Sequence, residues 1–449
     1  MKVLLAVHQF FPDFSAGTEV LTLSVARELR ARGHLVRIFT GFPGAAGLAD
    51  DQRFDEYRFD GFHVHRFHHA YASMGGQRSL IAIGYDNHLA AAYFARMLKD
   101  FAPDLVHFFH LNRLGTGLIT VACQAGVPAF LTPTDFWCVC PTGQLRLWDM
   151  RPCAGPTADA GNCIQHFAWN TLGRWGGQLA VRVPGRIWGL IGRLTRSGRL
   201  GGYPHAAEVR ALSERLDRSV ERLNQLQRIL VPNAMMEGVL IAHGVAPERL
   251  TRVAFGIAGD NGPRPARRHR RREPLRIGFV GSMLPHKGCH ILIEAFGNLP
   301  TGRAVLELYG RESDDPAYAA RLRRLAAGRE TVRFRGVFAN ERIGEVLGEF
   351  DALAVPSTWN ENTPLVVYSA QSACCPVIAS DVPGLAAAIR DGVDGLLFEA
   401  GNPAALATVL RRLLDEPGLV GDLSANARAP RSTADYVDDL LAIWHEAER

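Results

Sequence analysis

The sequence predicts an α/β protein with two doubly wound parallel sheets. Short apolar runs alternate with amphipathic helical segments, this alternation starts afresh near residue 275, and 449 residues suit two or three domains. Hydrophobic residues make up 47% of the chain and charged residues 21%, which is typical of globular proteins with a large core. We predict domains over 1–260 and 261–430, and a helix over 431–449 that packs back on the first domain.

The composition excludes several classes of protein. A formal net charge of +5 over this length does not indicate a nucleic-acid partner. No apolar run reaches the roughly 18 residues needed to span a bilayer. The first apolar run, Val3–Val7, is too short for a signal peptide, and no small-residue cleavage site follows it. We therefore expect a cytoplasmic location, in which the eight cysteines are reduced thiols or metal ligands.

The first half begins with a buried strand and an amphipathic helix. Val3–Val7 is the strand, and Thr18 can cap a helix that runs to Arg32 with its apolar residues on one face. Gly33 follows as a stop signal. The next predicted elements are a strand at 36–40, a helix at 86–100 capped by Asp86, and strands at 104–109 and 129–132.

The second half repeats this order after a linker. The segment Gly259–Glu273 is rich in Gly, Pro and Arg and therefore indicates an exposed connection. A strand over Leu275–Val280 and a helix over 287–298 follow it, and the later predicted strands are 304–309, 332–334, 352–355 and 377–379. Two such sheets facing each other would leave a cleft outside the carboxyl ends of their strands, where ligands usually bind.

Two loops of the second half carry the residues that suit a phosphorylated ligand. The first, Gly281 to Gly288, follows a strand and opens a helix, whose free N–H groups favour an anion. Lys287 adds a full positive charge there. A plain turn with a solvated lysine is the alternative, because a single glycine-containing turn is a weak signal.

The second loop runs from Pro356 to Leu365 after the strand at 352–355. Glu361 precedes a helix in which Pro364 suits the first turn. The carboxylate can bind sugar hydroxyls while the N–H groups of Asn362, Thr363 and Leu365 face an anionic ligand. The alternative is that Glu361 is only a capping charge that contributes about 0.3–1 kcal/mol.

Taken together, these motifs resemble those of the retaining GT-B glycosyltransferases of family four, the glycosyl transferases group 1. The motifs in family order are Gly17-Thr18-Glu19, Gly281-Ser282…Lys287-Gly288, Glu361-Asn362-Thr363-Pro364-Leu365, Pro376-Val377-Ile378-Ala379-Ser380-Asp381 and Asp391-Gly392…Asp394-Gly395-Leu396-Leu397-Phe398. Each is weak alone, but the set is specific and spans nearly the whole chain.

The resemblance implies two Rossmann-like domains and a nucleotide-diphosphate sugar as donor, with no obligatory cofactor. It implies transfer to a glycan or lipid-linked saccharide in polysaccharide biosynthesis, with retention of anomeric configuration. Lys287 and Glu361 would be catalytic. The implied donor-binding residues are Gly281, Ser282, Asn362, Thr363, Pro364, Leu365 and Ser369. The implied residues on the N-terminal side of the cleft are Gly17, Thr18, His110, Thr134 and Asp135.

The chain departs from the family pattern at several of these positions. Ser369 stands where the family has a second glutamate, and Ser282 stands where it has an arginine. Thr134 stands where the family has its active-site histidine, for which His107 or His110 could substitute. A catalytically impaired nucleotide- or glycan-binding protein with the same fold, or a GT-B-fold epimerase, therefore stays an alternative.

A segment at about 136–205 breaks the α/β alternation and is interpreted as an insertion. Cys140, Cys153, Cys163 and His166 are its soft ligands, and they could form a closed, structural zinc site. The alternative is a set of unrelated buried thiols, because their spacing matches no standard zinc motif.

The later part of the insertion, 169–200, interleaves arginines with large apolar residues. Arginine and tryptophan together suit an anionic membrane surface, which predicts peripheral contact with the inner face of the membrane. The alternative is a solvated basic face whose apolar side packs on its own domain.

Overall fold

The computed structural model describes residues 1–257 and 274–447, which form two compact units. Unit 1 contains Met1–Ala254 and takes back the chain from Tyr436 onward, and unit 2 contains Phe255–Asp435. The predicted linker over 259–273 and the predicted boundary near residue 260 lie outside the described residues.

Unit 1 is built on an eight-stranded sheet with the order β3-β4-β2-β1-β5-β6-β7-β8. Every neighbouring pair is parallel except β3 and β4. The strands are β1 (Lys2–Val7), β2 (Leu35–Pro43), β3 (Phe54–Phe59), β4 (Phe62–His69), β5 (Leu105–Phe108), β6 (Ala129–Leu131), β7 (Arg228–Val231) and β8 (Leu250–Arg252). The central strands are apolar runs buried on both faces, as parallel sheets covered by helices require.

The helices of unit 1 include three short ones in the insertion. They are α1 (Gly17–Ala31), α2 (Leu80–Tyr85), α3 (His88–Phe101), α4 (Gly117–Gln124), α5 (Gly161–Thr171), α6 (Gly173–Ala180), α7 (Gly185–Arg196), α8 (Ala206–Leu223) and α9 (Ala234–Ala242). No helix in the described part of the chain combines the length and the hydropathy that a bilayer crossing requires.

Unit 2 is built on a six-stranded, all-parallel sheet with the order β11-β10-β9-β12-β13-β14. Its strands are β9 (Leu275–Val280), β10 (Ala304–Tyr309), β11 (Val332–Gly336), β12 (Ala352–Val355), β13 (Val377–Ser380) and β14 (Gly395–Phe398). The helices of unit 2 are α10 (Cys289–Phe296), α11 (Pro316–Ala326), α12 (Ile343–Gly348), α13 (Leu365–Ser372), α14 (Pro383–Ala386), α15 (Pro403–Asp415) and α16 (Leu419–Ala425). The last helix, α17 (Thr433–Ala447), belongs to unit 1 from Tyr436 onward. The prediction of two doubly wound parallel sheets is confirmed.

Three local predictions about helix starts were wrong. Thr18 is not a cap: α1 begins at Gly17, and the Thr18 hydroxyl bonds Thr134 instead. Asn87, rather than Asp86, caps α3 by accepting from an N–H of its first turn, because Asp86 is held by two arginines of α8. The helix predicted from residue 287 begins at Cys289, after a single 3₁₀ turn over Pro285–Lys287.

Each sheet has one point where the order of its strands reverses. In unit 1 this point lies between β1 and β5, and in unit 2 it lies between β9 and β12. Connections leave in opposite directions on the two sides of such a point, which opens a crevice at the carboxyl ends of the strands. The residues that follow these four strands are therefore the first candidates for a site.

Candidate functional site

The loop after β9 reaches the switch point of unit 2 and is held there by a glycine. Gly288 has φ +73°. A Cβ at this position would overlap the carbonyl oxygen of Pro356 in the loop after β12. Only a glycine therefore allows the two predicted donor loops to touch.

Hydrogen bonds join these two loops directly. The carbonyl oxygen of His286 accepts from the N–H of Thr358 at 2.8 Å and from the hydroxyl of Ser357 at 3.2 Å. The ring of His286 lies 5.3 Å from the ring of Trp359. These contacts fix the backbone on both sides of Lys287.

The two predicted catalytic residues meet at this junction. Lys287 Nζ donates to Glu361 Oε1 at 2.6 Å. The lysine side chain is 27% exposed and that of Glu361 is 8% exposed. Nζ also lies 5.4 Å from the ring centre of Trp359, within the range of a cation–π contact.

The ion pair decides the charge state of Glu361. Burial alone would raise its pKa, but the charge and hydrogen bond of Lys287, with smaller contributions from Trp359 and Ser357, outweigh burial and lower the pKa below its ordinary value. Glu361 is therefore an ionised carboxylate held against a cation.

The start of α13 lies just beyond this carboxylate. Pro364 precedes the helix and Leu365 opens it, so the first N–H groups of α13 have no partner within the helix. Asn362 is buried and Thr363 is half-buried between the carboxylate and the helix. Ser369 lies one turn further along the same helix.

Glycines bring two other strand-end segments against the site. A Cβ at Gly384, in α14 after β13, would overlap the carbonyl oxygen of Glu361. A Cβ at Gly310, after β10, would overlap that of Gly281, whose N–H donates to the Tyr309 carbonyl at 3.1 Å. Ser282 follows in the same half-buried turn.

In unit 1 the switch point holds His110 and Asp135, as the sequence predicts for one side of a site. His110 Nε2 lies 3.0 Å from Asp135 Oδ1, and the His110 side chain is 7% exposed. The other ring nitrogen, Nδ1, accepts from the N–H of Asn112 at 3.1 Å. The imidazole is therefore held at both nitrogens.

Beside them, the Thr18 hydroxyl donates to the Thr134 hydroxyl at 2.9 Å. Thr18 lies in the first turn of α1, which begins at Gly17. The structure thus brings the predicted residues Gly17, Thr18 and Thr134 together.

Two functional candidates in unit 1 were missed by the sequence reasoning, His8 and Glu19. His8 follows β1, and its ring centre lies 4.1 Å from that of His110. Its Nε2 lies 3.8 Å from Oε1 of Glu19, a fully buried carboxyl whose oxygens make no hydrogen bond to another described residue. The signal available in the sequence was a polar residue directly after the first buried strand.

These two groups have strongly shifted pKa values. Burial lowers the pKa of His8 well below its ordinary value, and the nearby His110 and Arg113 lower it further. Burial raises the pKa of Glu19. The N–H of Glu19 and the amide of Gln9 counter only part of that rise.

His107, the other histidine that could substitute at the family's position, is a core residue. It is fully buried on β5, with Nε2 2.8 Å from the Thr132 hydroxyl, which lies 3.1 Å from the Tyr436 hydroxyl. Burial lowers its pKa to about 3, so the ring is neutral. This leaves His110 as the candidate.

The predicted zinc ligands do not form a metal site within residues 1–257 and 274–447. Burial, with smaller contributions from the neighbouring Cys140 and Cys153, raises the pKa of Cys163 to about 12. Cys153 Sγ accepts from the Asn162 amide at 3.3 Å instead. His166, one turn beyond Cys163 on α5, completes no such group, because spacing along the chain does not fix distances across an irregular insertion.

Two family models match the chain, one in each unit. The model "Glycosyl transferases group 1" matches residues 274–416, and the model "Glycosyl transferase 4-like domain" matches residues 16–162. Together they match more than half of the chain, including β5 at the switch point of unit 1 and both strands at that of unit 2.

Curated relatives match over part of their length. A D-inositol 3-phosphate glycosyltransferase of Salinispora arenicola is 32% identical over 184 residues, which is 38% of this chain and 41% of the relative. D-inositol 3-phosphate glycosyltransferase 1 of Catenulispora acidiphila is 30% identical over 239 residues, which is 49% of this chain and 57% of the relative. The chain thus spans about two fifths to just over half the length of these relatives.

Solved structures match over nearly the full chain at low identity. Anabaena HepE in complex with UDP and glucose has a TM-score of 0.63 and 15% identity, with 99% of this chain and 100% of that chain covered. WaaG, a glycosyltransferase involved in lipopolysaccharide biosynthesis, has a TM-score of 0.58 and 19% identity, with 99% and 98% covered. This likeness confirms the predicted GT-B fold.

Proposed function

We propose that this chain, which belongs to the glycosyl transferases group 1 family, transfers a sugar from a nucleotide-diphosphate sugar to a saccharide acceptor. One observation carries the proposal: the ion pair of Lys287 with Glu361, at 2.6 Å, lies at the switch point of unit 2 beside the start of α13. A cation, a carboxylate and free helix N–H groups at one such point suit a ligand that is part sugar and part diphosphate.

Lys287 would act on the leaving group. When the bond from the anomeric carbon to the diphosphate oxygen breaks, negative charge grows on that oxygen. A fixed ammonium beside it stabilises this charge more than it stabilises the bound donor, which lowers the barrier. Lysine also provides this charge without a metal, and we expect no obligatory cofactor.

Glu361 would hold the donor sugar by accepting from its hydroxyls. The N–H groups of Asn362, Thr363 and Leu365, with the turn at Gly281 and Ser282, would face the diphosphate. Pro364 would set the start of α13, and Ser369 would donate to the nucleotide. A serine makes a weaker contact here than the family's charged carboxylate.

The acceptor would bind to unit 1, at Thr18, His110, Thr134 and Asp135. His110, held at both ring nitrogens, would orient Asp135, whose carboxylate would accept from an acceptor hydroxyl. Thr134, with Thr18 and the backbone at Gly17, would take the place of the family's histidine. We propose that the anomeric configuration is retained, which the proton coupling constant of the new glycosidic linkage measures.

The acceptor proposed is a glycan or a lipid-linked saccharide in polysaccharide biosynthesis, and the proposed location is the cytoplasm, including the inner face of the membrane. The relatives described above are named for D-inositol 3-phosphate, so this compound is also tested as an acceptor.

Donor binding and donor turnover test the proposal separately. The full chain is mixed with UDP-glucose, UDP-N-acetylglucosamine, GDP-mannose or ADP-glucose, and melting temperature and released nucleoside diphosphate are recorded. We expect one donor to raise the melting temperature and to be hydrolysed or transferred. If no donor does either, the proposal is wrong.

The second candidate is a binding protein that has lost transfer. Ser369 and Thr134, which replace two charged or titratable family residues, favour it. Its distinguishing result is a donor that raises the melting temperature but releases no diphosphate with any acceptor.

A further inference from the structure

Helices α6 and α7 of the insertion turn their small residues inward. Gly177 and Ala180 of α6 are buried, as are Gly189 and Gly192 of α7. A Cβ at Gly192 would lie 2.8 Å from the carbonyl oxygen of Asp159, so the backbones approach closely.

The large apolar residues of the same helices face outward. Trp175 is 82% exposed, Leu179 61%, Leu190 51% and Ile187 44%. Trp175 and Leu179 are four residues apart, and Ile187 and Leu190 are three apart, so each pair shares one helix face. Of the thirteen large apolar side chains exposed in the described residues, six lie in 172–200.

This arrangement is the reverse of an ordinary surface helix, which buries its large apolar residues and exposes its polar ones. Trp188 and Ile191 of α7 pack inward against the cluster around Ile164, and the indole N–H of Trp188 donates to the Ala180 carbonyl at 3.0 Å. Packing on the protein's own domain thus explains Trp188 but not Trp175 or Leu179.

The charge of this segment has a single sign. Residues 160–207 contain six arginines and no lysine, aspartate or glutamate. Arg193 and Arg196 pair with Asp159 and Asp217. The other four make no ion pair to any residue in 1–257 or 274–447; they are Arg174, Arg182, Arg186 and Arg199.

We propose that α6 and α7 dock on the surface of an anionic phospholipid bilayer. The exposed residues of each helix, Trp175 with Leu179 and Ile187 with Leu190, would enter the interface between headgroups and acyl chains, while the arginines would bind lipid phosphates. Docking of these residues does not depend on the proposed function. Only its link to a lipid-linked acceptor, which the bilayer would deliver beside unit 1, rests on that proposal.

The test is sedimentation of the full chain with vesicles of phosphatidylcholine alone or with about 30% phosphatidylglycerol. We expect binding to the anionic vesicles that is much stronger than binding to neutral ones and that falls with added salt, because the Debye length shortens from about 10 Å at 0.1 M to about 3 Å at 1 M.

Two variants separate the apolar and charged contributions. Trp175→Ser with Leu179→Ser should weaken partitioning at least about tenfold. Arg174→Gln, Arg182→Gln and Arg186→Gln together should weaken it roughly a hundredfold, at about fivefold for each arginine. The matched control is Leu35→Ser with Ile241→Ser, two exposed apolar residues of unit 1 outside the insertion, which should bind as the wild type does.

The proposal would be overturned by equal binding to neutral vesicles, by no binding to anionic ones, or by an equal loss in the control variant. A wild-type chain that self-associates through these residues, and becomes monomeric with the Trp175 and Leu179 changes, would also overturn it. Donor turnover is also measured on every variant. If the control variant loses vesicle binding but keeps its turnover, the result counts against membrane docking alone. Intact vesicle binding by a chain that turns over no donor counts against the proposed function alone.

Discussion

Two buried glutamates lie at the two switch points of this molecule, and they differ in one respect. Glu361 in unit 2 has a lysine at 2.6 Å, and its pKa is lowered. Glu19 in unit 1 lies 3.8 Å from a ring nitrogen of His8, and burial raises its pKa. Comparable positions in comparable folds thus give one fixed charge and one titratable group, because the partner, and not the position, decides the charge.

The difference suggests that the sites of the two units have different roles. A preformed ion pair suits a site that must stabilise charge on a leaving group without rearranging first. A buried carboxyl with a raised pKa, near His8, suits a site that binds neutral hydroxyl groups.

The largest expected effect tests the fixed charge. Lys287→Ala should lower donor turnover by roughly 100- to 1000-fold, the usual loss for one electrostatic donor to a developing anion. The measurement is nucleoside diphosphate release under saturating donor. The control is Lys99→Ala, which removes an exposed lysine of α3 in unit 1 and should leave turnover unchanged. Turnover of Lys287→Ala within about tenfold of the wild type would contradict the assigned role.

The next prediction tests whether the close approach of Gly384 restrains the backbone at Glu361. Gly384→Ala should destabilise the protein by about 3 kcal/mol, because its Cβ would overlap the backbone oxygen of Glu361. Urea unfolding monitored by circular dichroism measures this change.

Gly344→Ala is the matched control for that substitution. Gly344 lies in α12 with nothing within 4 Å of an added Cβ, so alanine should stabilise the helix by about 0.5–1 kcal/mol. Equal effects of the two substitutions would show that the close approach to Glu361 does not restrain the loop.

The smallest effect concerns the sign of the two pKa shifts. The raised pKa of Glu19 means that the folded state binds its proton more tightly than the unfolded state, so ionisation costs stability as pH rises through the folded pKa. Glu19→Gln should therefore be more stable than the wild type by about 1 kcal/mol at pH 7, with the gain shrinking towards pH 4.

Glu361→Gln should behave in the opposite way. Because the pKa of Glu361 is lowered in the folded state, its ionised carboxylate stabilises the fold at pH values above the pKa of the unfolded state. This stability is lost as the pH falls through the folded-state pKa. The variant should be less stable than the wild type at pH 7 and approach it in acid. Thermal unfolding at pH 7 and pH 4 compares both variants. If both substitutions change the stability at pH 7 in the same direction, the contrast between the two glutamates is wrong.

The sequence was most informative where local chemistry determines structure. The strands over Ala304–Tyr309 and Ala352–Val355 were predicted to the residue, since apolar runs bounded by turns leave little choice. Lys287 and Glu361 were recognised because their motifs are specific as a set. Their hydrogen bond could not be predicted, because it depends on how Gly288 lets two distant loops touch.

Other features depend on contacts that no local pattern reveals. Glu19 looks like any acidic residue in the first turn of a helix, and its complete burial arises from packing around β1 and β5. The sequence left two interpretations of the Arg- and Trp-rich segment open. The structure bears on them through Gly189 and Gly192, whose burial marks the inward face of α7.

The return of the chain to unit 1 has a consequence for how this protein is made. The fully buried Tyr436 and Trp444 of α17 pack with Thr132 and His107. A ribosome therefore completes unit 2 before it supplies these side chains, and unit 1 emerges with part of its core unfilled. Nascent chains should expose that gap until α17 leaves the exit tunnel.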